Sequence, residues 1–555
     1  MAAKNWVYVT FVAFFVSLGG YLTGYSFGTL NGLQNFSGFL EYFDLGNSST
    51  NASCTETSHL TEENRLILGT IISIINLGGA IGNLFAGKPA DYFGRKVTIV
   101  MSGVLMVLGT AIQSAAIQGA SWMLILGRFV AGLGYGVFYM AGPVYIAEIS
   151  PKHIRGTLTS LVGITIGMGV VTGYVTNILF FDKSYGWRVS RLLDCVISCV
   201  FIFGMILMPR SPRWLMLKRR ESEAREVLTK MLGQEGIEAE LEDIRQSLES
   251  AKDLSIVQEI KAILKWKILK RILFGIVLHV FAASCGTAVF FYSEPLFCSL
   301  GIAPFVTAIV IGVLSLCGGI FITLFIEKLG RKPMLVGGGL MMFLLTGAAA
   351  TLVYAFNLEE DKNDVVGYIV VCLVCLFMLV YSSTWYTIPW IVTTEIFPLE
   401  GRGIAVAITT AMNWGSIYIF TQSFPAILAS LKASGSLYMI SIINIAAAVF
   451  YLFFLPETKG VSLEQADKIF AKPWLERIGL ASCFRFCRRP ESLSTDVSRT
   501  DNGVVLTGGK LKPREDEKSS PKRRSDMEND KDWEDYWEHY ENEVNDAIRH
   551  RETIL

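Results

Sequence analysis

Long apolar runs separated by short polar segments fill most of this chain of 555 residues. Twelve runs can be recognised, each near the roughly 20 residues that an α-helix needs to cross a bilayer. Their centres lie near residues 18, 76, 107, 134, 168, 199, 284, 314, 344, 376, 416 and 446. Glycine pairs such as Gly78-Gly79 and Gly318-Gly319 recur inside them, as in membrane helices that pack closely. The pattern predicts an all-α polytopic membrane protein with twelve transmembrane helices.

Composition narrows the functional classes. Charged residues make up only 18% of the chain and its formal net charge is zero, so no nucleic-acid partner is expected. The ten cysteines show no paired spacing, and no His/Cys cluster predicts a metal site or another cofactor. The sequence contains no phosphate-binding loop of an ATP-driven pump and no catalytic constellation. We therefore expect neither an enzyme nor an ATP-driven pump.

Three short motifs occur twice in the same order, which indicates an internal duplication. The pairs are Glu148–Gly156 with Glu395–Gly403, Asp91–Lys96 with Glu327–Lys332, and Met208–Arg213 with Leu455–Lys459. The predicted organisation is a six-helix half over residues 1–209, cytosolic linker helices over 210–270, a second six-helix half over 271–456, and a cytosolic, mostly disordered tail over 457–555. Duplicated membrane bundles are typical of alternating-access carriers.

Loop charges predict the orientation in the membrane. Residues 31–64 carry five acidic side chains and no Lys or Arg, whereas the loops at 87–96, 148–155 and 210–271 are rich in Lys and Arg. Because basic loops stay inside, both termini should be cytosolic and the first loop should face outward. That loop holds two glycosylation sequons, at Asn47 and Asn51, which fits an external position.

Charged side chains recur at matching helix ends of the two halves. A carrier must close its cytosolic side and then release it, and ion pairs that form in one state and break in the other can do this. The predicted cytosolic gate comprises Asp91, Arg95, Arg128, Glu148, Arg155, Arg331, Glu395 and Arg402. The alternative is that these residues only anchor the loops as basic, inward-facing segments.

In their order along the chain, the motifs resemble those of the sugar porters of the major facilitator superfamily, and in particular the animal facilitative hexose carriers. The similarity runs from Trp6 to Leu463. It is carried by Gly87–Lys96, Gly127–Gly132, Glu148–Gly156, Pro209–Leu215, Ile388–Trp390 with Glu395, Asn413-Trp414, and Pro456–Gly460. The resemblance implies a twelve-helix fold, a central solute site and rocking alternating access.

The sugar-binding amides of that family are largely replaced. The seventh-span motif Gln-Gln-x-Ser-Gly-x-Asn aligns with Phe281–Thr287, and the amides of spans 5 and 8 fall at Gly163 and Ser315. Aromatic residues Phe291 and Tyr292 stand at the family's outer gate. The resemblance implies that the residues that bind substrate are Trp390, Asn413, Thr287 and Tyr292. Each sugar hydroxyl left unpaired costs about 1–3 kcal/mol, so we expect a smaller, less hydroxylated or weakly bound solute.

Three residues in the predicted spans bear on whether transport is coupled to protons. Proton-linked relatives carry an acid in the first span where this chain has Ser26, which favours uniport. Asp194 stands three residues after Arg191, a spacing that predicts a local ion pair. His279 is a second ionisable group inside a span, where such groups are candidates for function, although one structural hydrogen bond also explains it.

These observations predict facilitative uniport of a small sugar-like or polyol solute in an animal plasma membrane. The alternatives are a carrier for another small organic solute, a proton-coupled symporter, and a non-transporting sensor with the same fold. The expected partners are the solute, the lipid bilayer and a PDZ-domain protein at the C-terminal Thr553-Ile-Leu555. No cofactor is expected.

Overall fold

The computed structural model describes residues 2–31, 38–46, 61–151, 154–180, 183–232, 237–250, 258, 261, 263–299, 304–358, 364–397 and 402–457. All of them belong to one compact unit, Met1–Gly479. The predicted glycosylation sites Asn47 and Asn51 and the C-terminal Thr553–Leu555 lie outside the described residues. Arg155 and Arg402 begin helices, but their side chains also lie outside the described part.

Six long helices precede the linker, and we number them spans 1 to 6. They are Ala2–Asn31, Glu62–Phe85, Arg95–Ser114, Ser121–Ile149, Arg155–Phe180 and Gly186–Leu207. Short helices Phe39–Tyr42 and Gly87–Tyr92 lie in the loops between them. Span 3 begins after Gly94, whose φ is +91° and whose Cβ position lies 2.8 Å from the Trp214 ring. Only glycine fits that turn without displacing the indole.

The linker and the second set of spans follow. The linker helices are Pro212–Leu217, Glu221–Leu232 and Ile237–Ser250. Spans 7 to 12 are contained in Trp266–Ser299, Pro304–Leu329, Arg331–Ala355, Asp364–Ser383 with Ile388–Ile396, and Arg402–Phe454. The last of these has 53 residues and leaves helical geometry at Lys432, so it contains spans 11 and 12. The domain boundaries stay a prediction.

Length and composition suit these helices to a bilayer. Eleven helical stretches in the described chain are long and apolar enough to cross a membrane, and the last, Gly403–Phe454, is long enough for two crossings. Large apolar side chains such as Phe203 and Leu344 are exposed, at 68% and 60%, as lipid-facing residues are in a membrane fold. The prediction of an all-α protein with twelve transmembrane helices is confirmed.

Spans 2 and 11 join the two halves along their length. The Thr410 hydroxyl donates to Asn83 Oδ1 at 2.7 Å, and the Ser73 hydroxyl donates to Gln422 Oε1 at 2.5 Å. The end of span 2 therefore lies beside the start of span 11, and the two run antiparallel. Since Arg95 follows span 2 and Glu395 precedes span 11, the duplicated charged motifs lie at the same end of the bundle. We call this end the basic end.

Spans 5 and 8 make a second contact between the halves. A Cβ at Gly167 would lie 2.9 Å from the Leu316 side chain, and one at Gly312 would lie 3.0 Å from the Tyr174 ring. Glycine therefore permits the two helices to approach closely here. The face of span 5 that carries Gly167 is turned toward the second half.

Candidate transport site

The ion pairs of the basic end in the first half join span 3 to span 4. Arg95 Nε donates to Glu148 Oε1 at 3.0 Å, and Arg95 Nη1 lies 3.2 Å from Asp91 Oδ1. The Ser211 hydroxyl donates to the other oxygen of Glu148. The Arg95 and Glu148 side chains are only 13% and 7% exposed, so solvent screens the pair weakly.

The second half repeats this arrangement. Arg331 Nη2 donates to Glu395 Oε1 at 2.8 Å, which matches Arg95 and Glu148 in the repeat. The Glu457 carboxylate accepts from the backbone N–H of Arg331 and of Lys332, both at 3.0 Å. A carboxylate at a helix N-terminus satisfies free N–H groups and complements the helix dipole. The charged motifs thus build the same span-to-span ion pair in both halves.

The two halves differ in one respect at this end. The position that corresponds to Glu457 in the repeat is Arg210, and its guanidinium lies 5.6 Å from the centre of the Trp214 ring. A guanidinium cannot accept hydrogen bonds from backbone N–H groups, so Arg210 cannot provide the cap that Glu457 provides in the second half.

Arg128 is not part of the basic end, and the prediction that placed it there is wrong. It lies near the start of helix Ser121–Ile149, and Glu148 lies 20 residues further on at the other end, about 30 Å away along the helix axis. Arg128 is 0% exposed and lies near Arg191 and Asp194 of span 6. The predicted ion pair between Arg191 and Asp194 is present at 3.8 Å. These three residues form a buried cluster inside the first half, which we call the buried charge cluster.

Aromatic side chains of both halves meet between spans 1, 4, 7, 10 and 11. The Tyr139 ring lies 5.3 Å from Trp414, edge to face, and 5.9 Å from Trp390. The Phe27 ring lies 5.3 Å from Phe291 and 6.3 Å from Trp414. Aromatic faces that meet polar groups are suited to the apolar faces of a sugar ring. We call these five residues the aromatic cluster.

Thr287 and Asn413 are buried polar residues that neighbour members of this cluster along their helices. Asn413 is 4% exposed and directly precedes Trp414, and among the described residues its amide makes no side-chain hydrogen bond. The Tyr381 hydroxyl donates to the Ala282 carbonyl at 3.0 Å, so Thr287 donates to the Tyr381 oxygen at 3.1 Å. The oxygen of Thr287 then keeps lone pairs that can accept a hydrogen bond.

Tyr292 is engaged within its own half. Its hydroxyl donates to the Thr421 carbonyl at 2.9 Å, and its ring lies 5.4 Å from Phe424. Helix Trp266–Ser299 leaves helical geometry at this residue, with φ −123° and ψ 21°. The structure therefore places Tyr292 at a bend of span 7, with its hydroxyl tied to span 11.

His279 supports Trp390. The Thr393 hydroxyl donates to the Pro389 carbonyl at 2.7 Å, so the His279 Nε2–H must donate to Thr393 Oγ1 at 2.9 Å. The imidazole ring also lies edge to face with Trp390 at 5.4 Å. This arrangement gives His279 the structural hydrogen bond that the sequence allowed, and it fixes the orientation of the indole.

Gly163 and Ser315 lie on facing helices. Gly163 is four residues before Gly167 on span 5, so both glycines lie on the face turned toward span 8. A Cβ at Gly163 would meet nothing within 4 Å. Ser315 precedes Leu316, which packs against Gly167, and its buried hydroxyl has no hydrogen-bond partner among the described residues. Open space and an unpaired hydroxyl thus stand where the resembled family has amides.

Sequence reasoning missed Tyr139, Tyr381 and Gln422. Each lies inside an apolar run, where Tyr usually packs and a single Gln gives little signal. The available indication was a polar group near mid-span, which membrane helices place toward other helices or a cavity. Among the described residues, no group of three metal-binding side chains occurs.

Comparison with known proteins identifies the family. The profile described as "Sugar (and other) transporter" matches residues 12–470. The chain is 30% identical over 475 residues to "Sugar carrier protein A" of Ricinus communis, covering 84% of this chain and 90% of that protein. It is 28% identical over 477 residues to "H(+)/hexose cotransporter 1" of Parachlorella kessleri, covering 84% and 88%.

The fold also has solved counterparts. The structure of the proton:xylose symporter XylE from E. coli, bound to 6-bromo-6-deoxy-D-glucose, superposes with a TM-score of 0.68 at 24% identity. The match covers 85% of this chain and 100% of XylE. These comparisons show the broad family and not its animal facilitative branch. The chain has the major facilitator fold, and it belongs to the sugar transporter family, whose members are membrane carriers and not enzymes.

Proposed function

We propose that this protein carries a monosaccharide across the plasma membrane by alternating access, coupled to protons. The observation that carries the proposal is the aromatic cluster between the halves; Asn413, which precedes Trp414 in the chain, is buried and makes no side-chain hydrogen bond within the described part of the chain. The named substrates of relatives support a monosaccharide, since they include hexoses, galactose and xylose. Both termini would then lie in the cytosol, as the loop charges predict.

Sugar binding would be weak in this site. Trp390 and Trp414 offer faces to an apolar side of a sugar ring, while Asn413 and Thr287 offer hydrogen bonds. A hydrogen bond contributes about 0.5–1.5 kcal/mol net, so the few polar groups here hold a polyhydroxylated ring less tightly than an amide-lined site. We expect transport at low affinity.

The ion pairs of the basic end would form the gate. Arg95 with Glu148 and Arg331 with Glu395 are pairs within one half, and Arg155 and Arg402 begin the helices that follow each glutamate. Exchange of partners between the halves would close this end while the other end opens. We propose this exchange as the conformational switch.

Proton coupling replaces uniport as the preferred mechanism. The uniport prediction rested on Ser26, but the relatives include an H(+)/hexose cotransporter and a proton:xylose symporter. A carboxylate is also available inside the first half at Asp194. Uniport remains the second candidate, favoured by the hydroxyl at Ser26.

Uptake by purified protein in proteoliposomes separates the candidates. Radiolabelled D-glucose, D-galactose, D-xylose and a polyol are offered with and without an inward pH gradient. Accumulation above equilibrium that requires the gradient supports symport, and equal fluxes at both pH values support uniport. Absence of flux for every solute would favour the sensor.

Gly163→Gln tests the substrate site by adding an amide. The side chain has room, and one new hydrogen bond should lower the KM for D-glucose by roughly 2–10-fold. Gly337→Gln is the matched control, because its Cβ would also meet nothing within 4 Å and, in the described part of the chain, span 9 packs mainly against helices of its own half. An unchanged KM in Gly163→Gln would place residue 163 outside the substrate site.

A further inference from the structure

The buried charge cluster contains one carboxylate and two guanidinium groups between spans 1, 4 and 6. Arg128, Arg191 and Asp194 are exposed by 0%, 1% and 0%. Ionisable groups this deep in a membrane bundle are costly and usually serve function. We infer that Asp194 is the group that binds the coupled proton, an inference that rests on the proposed proton coupling.

The hydrogen bonds of Asp194 leave it partly unsatisfied. Arg191 Nη1 lies 3.8 Å from Asp194 Oδ2, and the Tyr135 hydroxyl donates to the same oxygen at 3.5 Å. Among the described residues, Asp194 Oδ1 and all three side-chain nitrogens of Arg128 have no hydrogen-bond partner. A carboxylate with one open oxygen can accept a proton without breaking a hydrogen bond there.

Asp194 is the carboxylate of this cluster, and the other titratable groups around it keep their protons near neutral pH. The charged and titratable side chains that face it come from spans 1, 4 and 6, and they are Tyr25, Arg128, Tyr135, Arg191 and Cys195. A guanidinium keeps its proton throughout the physiological range, and phenols and thiols lose theirs only at higher pH. The Asp194 carboxyl group is therefore the remaining candidate for binding and releasing the proton.

Span 4 connects Asp194 to the aromatic cluster. Tyr135 and Tyr139 are four residues apart, so they lie on one face of the helix. Tyr135 donates to Asp194, while Tyr139 contacts Trp390 and Trp414 of the other half. A change at Asp194 therefore has a short, packed route to the sugar site.

Span 1 supplies a second connection. Arg191 Nη2 donates to Thr29 Oγ1 of span 1, and Phe27 of the same span packs on Phe291 and Trp414 across the interface. When a proton binds Asp194, the carboxylate charge that attracts Arg191 is removed. The hold of Arg191 on span 1 then changes, and with it the packing of Phe27 against the second half. The proton leaves the same Asp194 oxygen when the site opens to the other side of the membrane.

The test uses the full-length protein in proteoliposomes and radiolabelled D-glucose as the probe. With one proton per sugar, an inward gradient of one pH unit supports about tenfold accumulation. Asp194→Asn should reduce the accumulation ratio to about 1 while D-glucose counterflow, which needs no net proton movement, continues. Asp364→Asn, at the exposed start of span 10, is the control and should accumulate like the parent.

The outcomes separate the two hypotheses. If the parent protein shows only equilibrative, pH-independent flux, proton coupling itself is wrong. If the parent accumulates D-glucose and Asp194→Asn accumulates it equally, coupling stands and the assignment to Asp194 is overturned. If Asp194→Asn loses counterflow as well, the Asp194→Glu variant decides between the outcomes. D-glucose accumulation by Asp194→Glu with a shifted pH profile supports the assignment. Accumulation with an unshifted pH profile, or no accumulation, overturns it.

Discussion

Glu395→Gln should reduce D-glucose uptake by about tenfold or more while equilibrium binding of the sugar stays within about threefold. The substitution keeps the shape of the side chain and removes the charge that pairs with Arg331 at 2.8 Å. Hydrogen bonds to charged groups contribute about 1.5–3 kcal/mol, which corresponds to a tenfold or larger shift between states. Glu148→Gln should act alike, because Arg95 and Glu148 form the equivalent pair.

Glu238→Gln is the matched control. Glu238 pairs with Arg225 between linker helices, and the two side chains are 76% and 47% exposed. Exposed pairs contribute little, so uptake should not change. If Glu395→Gln and Glu148→Gln transport like the control, the repeated charges serve only as loop anchors and the gate proposal is wrong.

Trp390→Ala should reduce D-glucose uptake to less than about 5% of the parent level. The change removes the indole that contacts Tyr139 of the first half and His279 of the second. The indole is partly buried and supplies the predicted aromatic face for the sugar, and a loss of about 2 kcal/mol at that contact corresponds to a roughly 30-fold reduction. Trp390→Phe keeps an aromatic face and should retain measurable uptake with a higher KM.

Trp122→Ala gives the comparison that isolates position 390. Trp122 lies at the start of span 4 and is 61% exposed, so its removal should leave uptake within about twofold of the parent. Thermal unfolding of each variant reports whether the fold survives. A folded Trp390→Ala protein with the parent's KM and maximal rate would remove Trp390 from the substrate site.

Much of the fold was predictable because membrane helices impose a simple constraint. Every span must satisfy its backbone within an apolar run, so length and hydropathy alone located all twelve. The repeated motifs also placed Arg95, Glu148, Arg331 and Glu395 at one end, since each marks the same helix boundary in its half. Which arginine bonds to which glutamate depends on packing between spans, and sequence spacing does not contain it.

Arg128 illustrates where sequence reasoning failed. Its cation resembles those of the charged loops in sequence, but the 29-residue helix places it about 30 Å from Glu148. Arg128 and Asp194 are 66 residues apart in sequence, and they come close because span 4 packs near span 6. Tyr139 and Tyr381 could not be predicted from sequence for a related reason. An aromatic residue in an apolar run does not indicate which cavity or hydroxyl group it will contact.

The central claim is that the two halves rock and exchange ion pairs at the basic end. Spin-label distance measurements test it most directly, with one cysteine pair at Tyr92 and Leu329 of the basic end and another at Ile117 and Phe356 of the opposite end, all exposed. Addition of D-glucose should change the two distances in opposite directions, and Glu148→Gln with Glu395→Gln should shift the basic-end populations. The account would be contradicted if neither distance changed on addition of D-glucose or with the substitutions, or if both distances changed in the same direction.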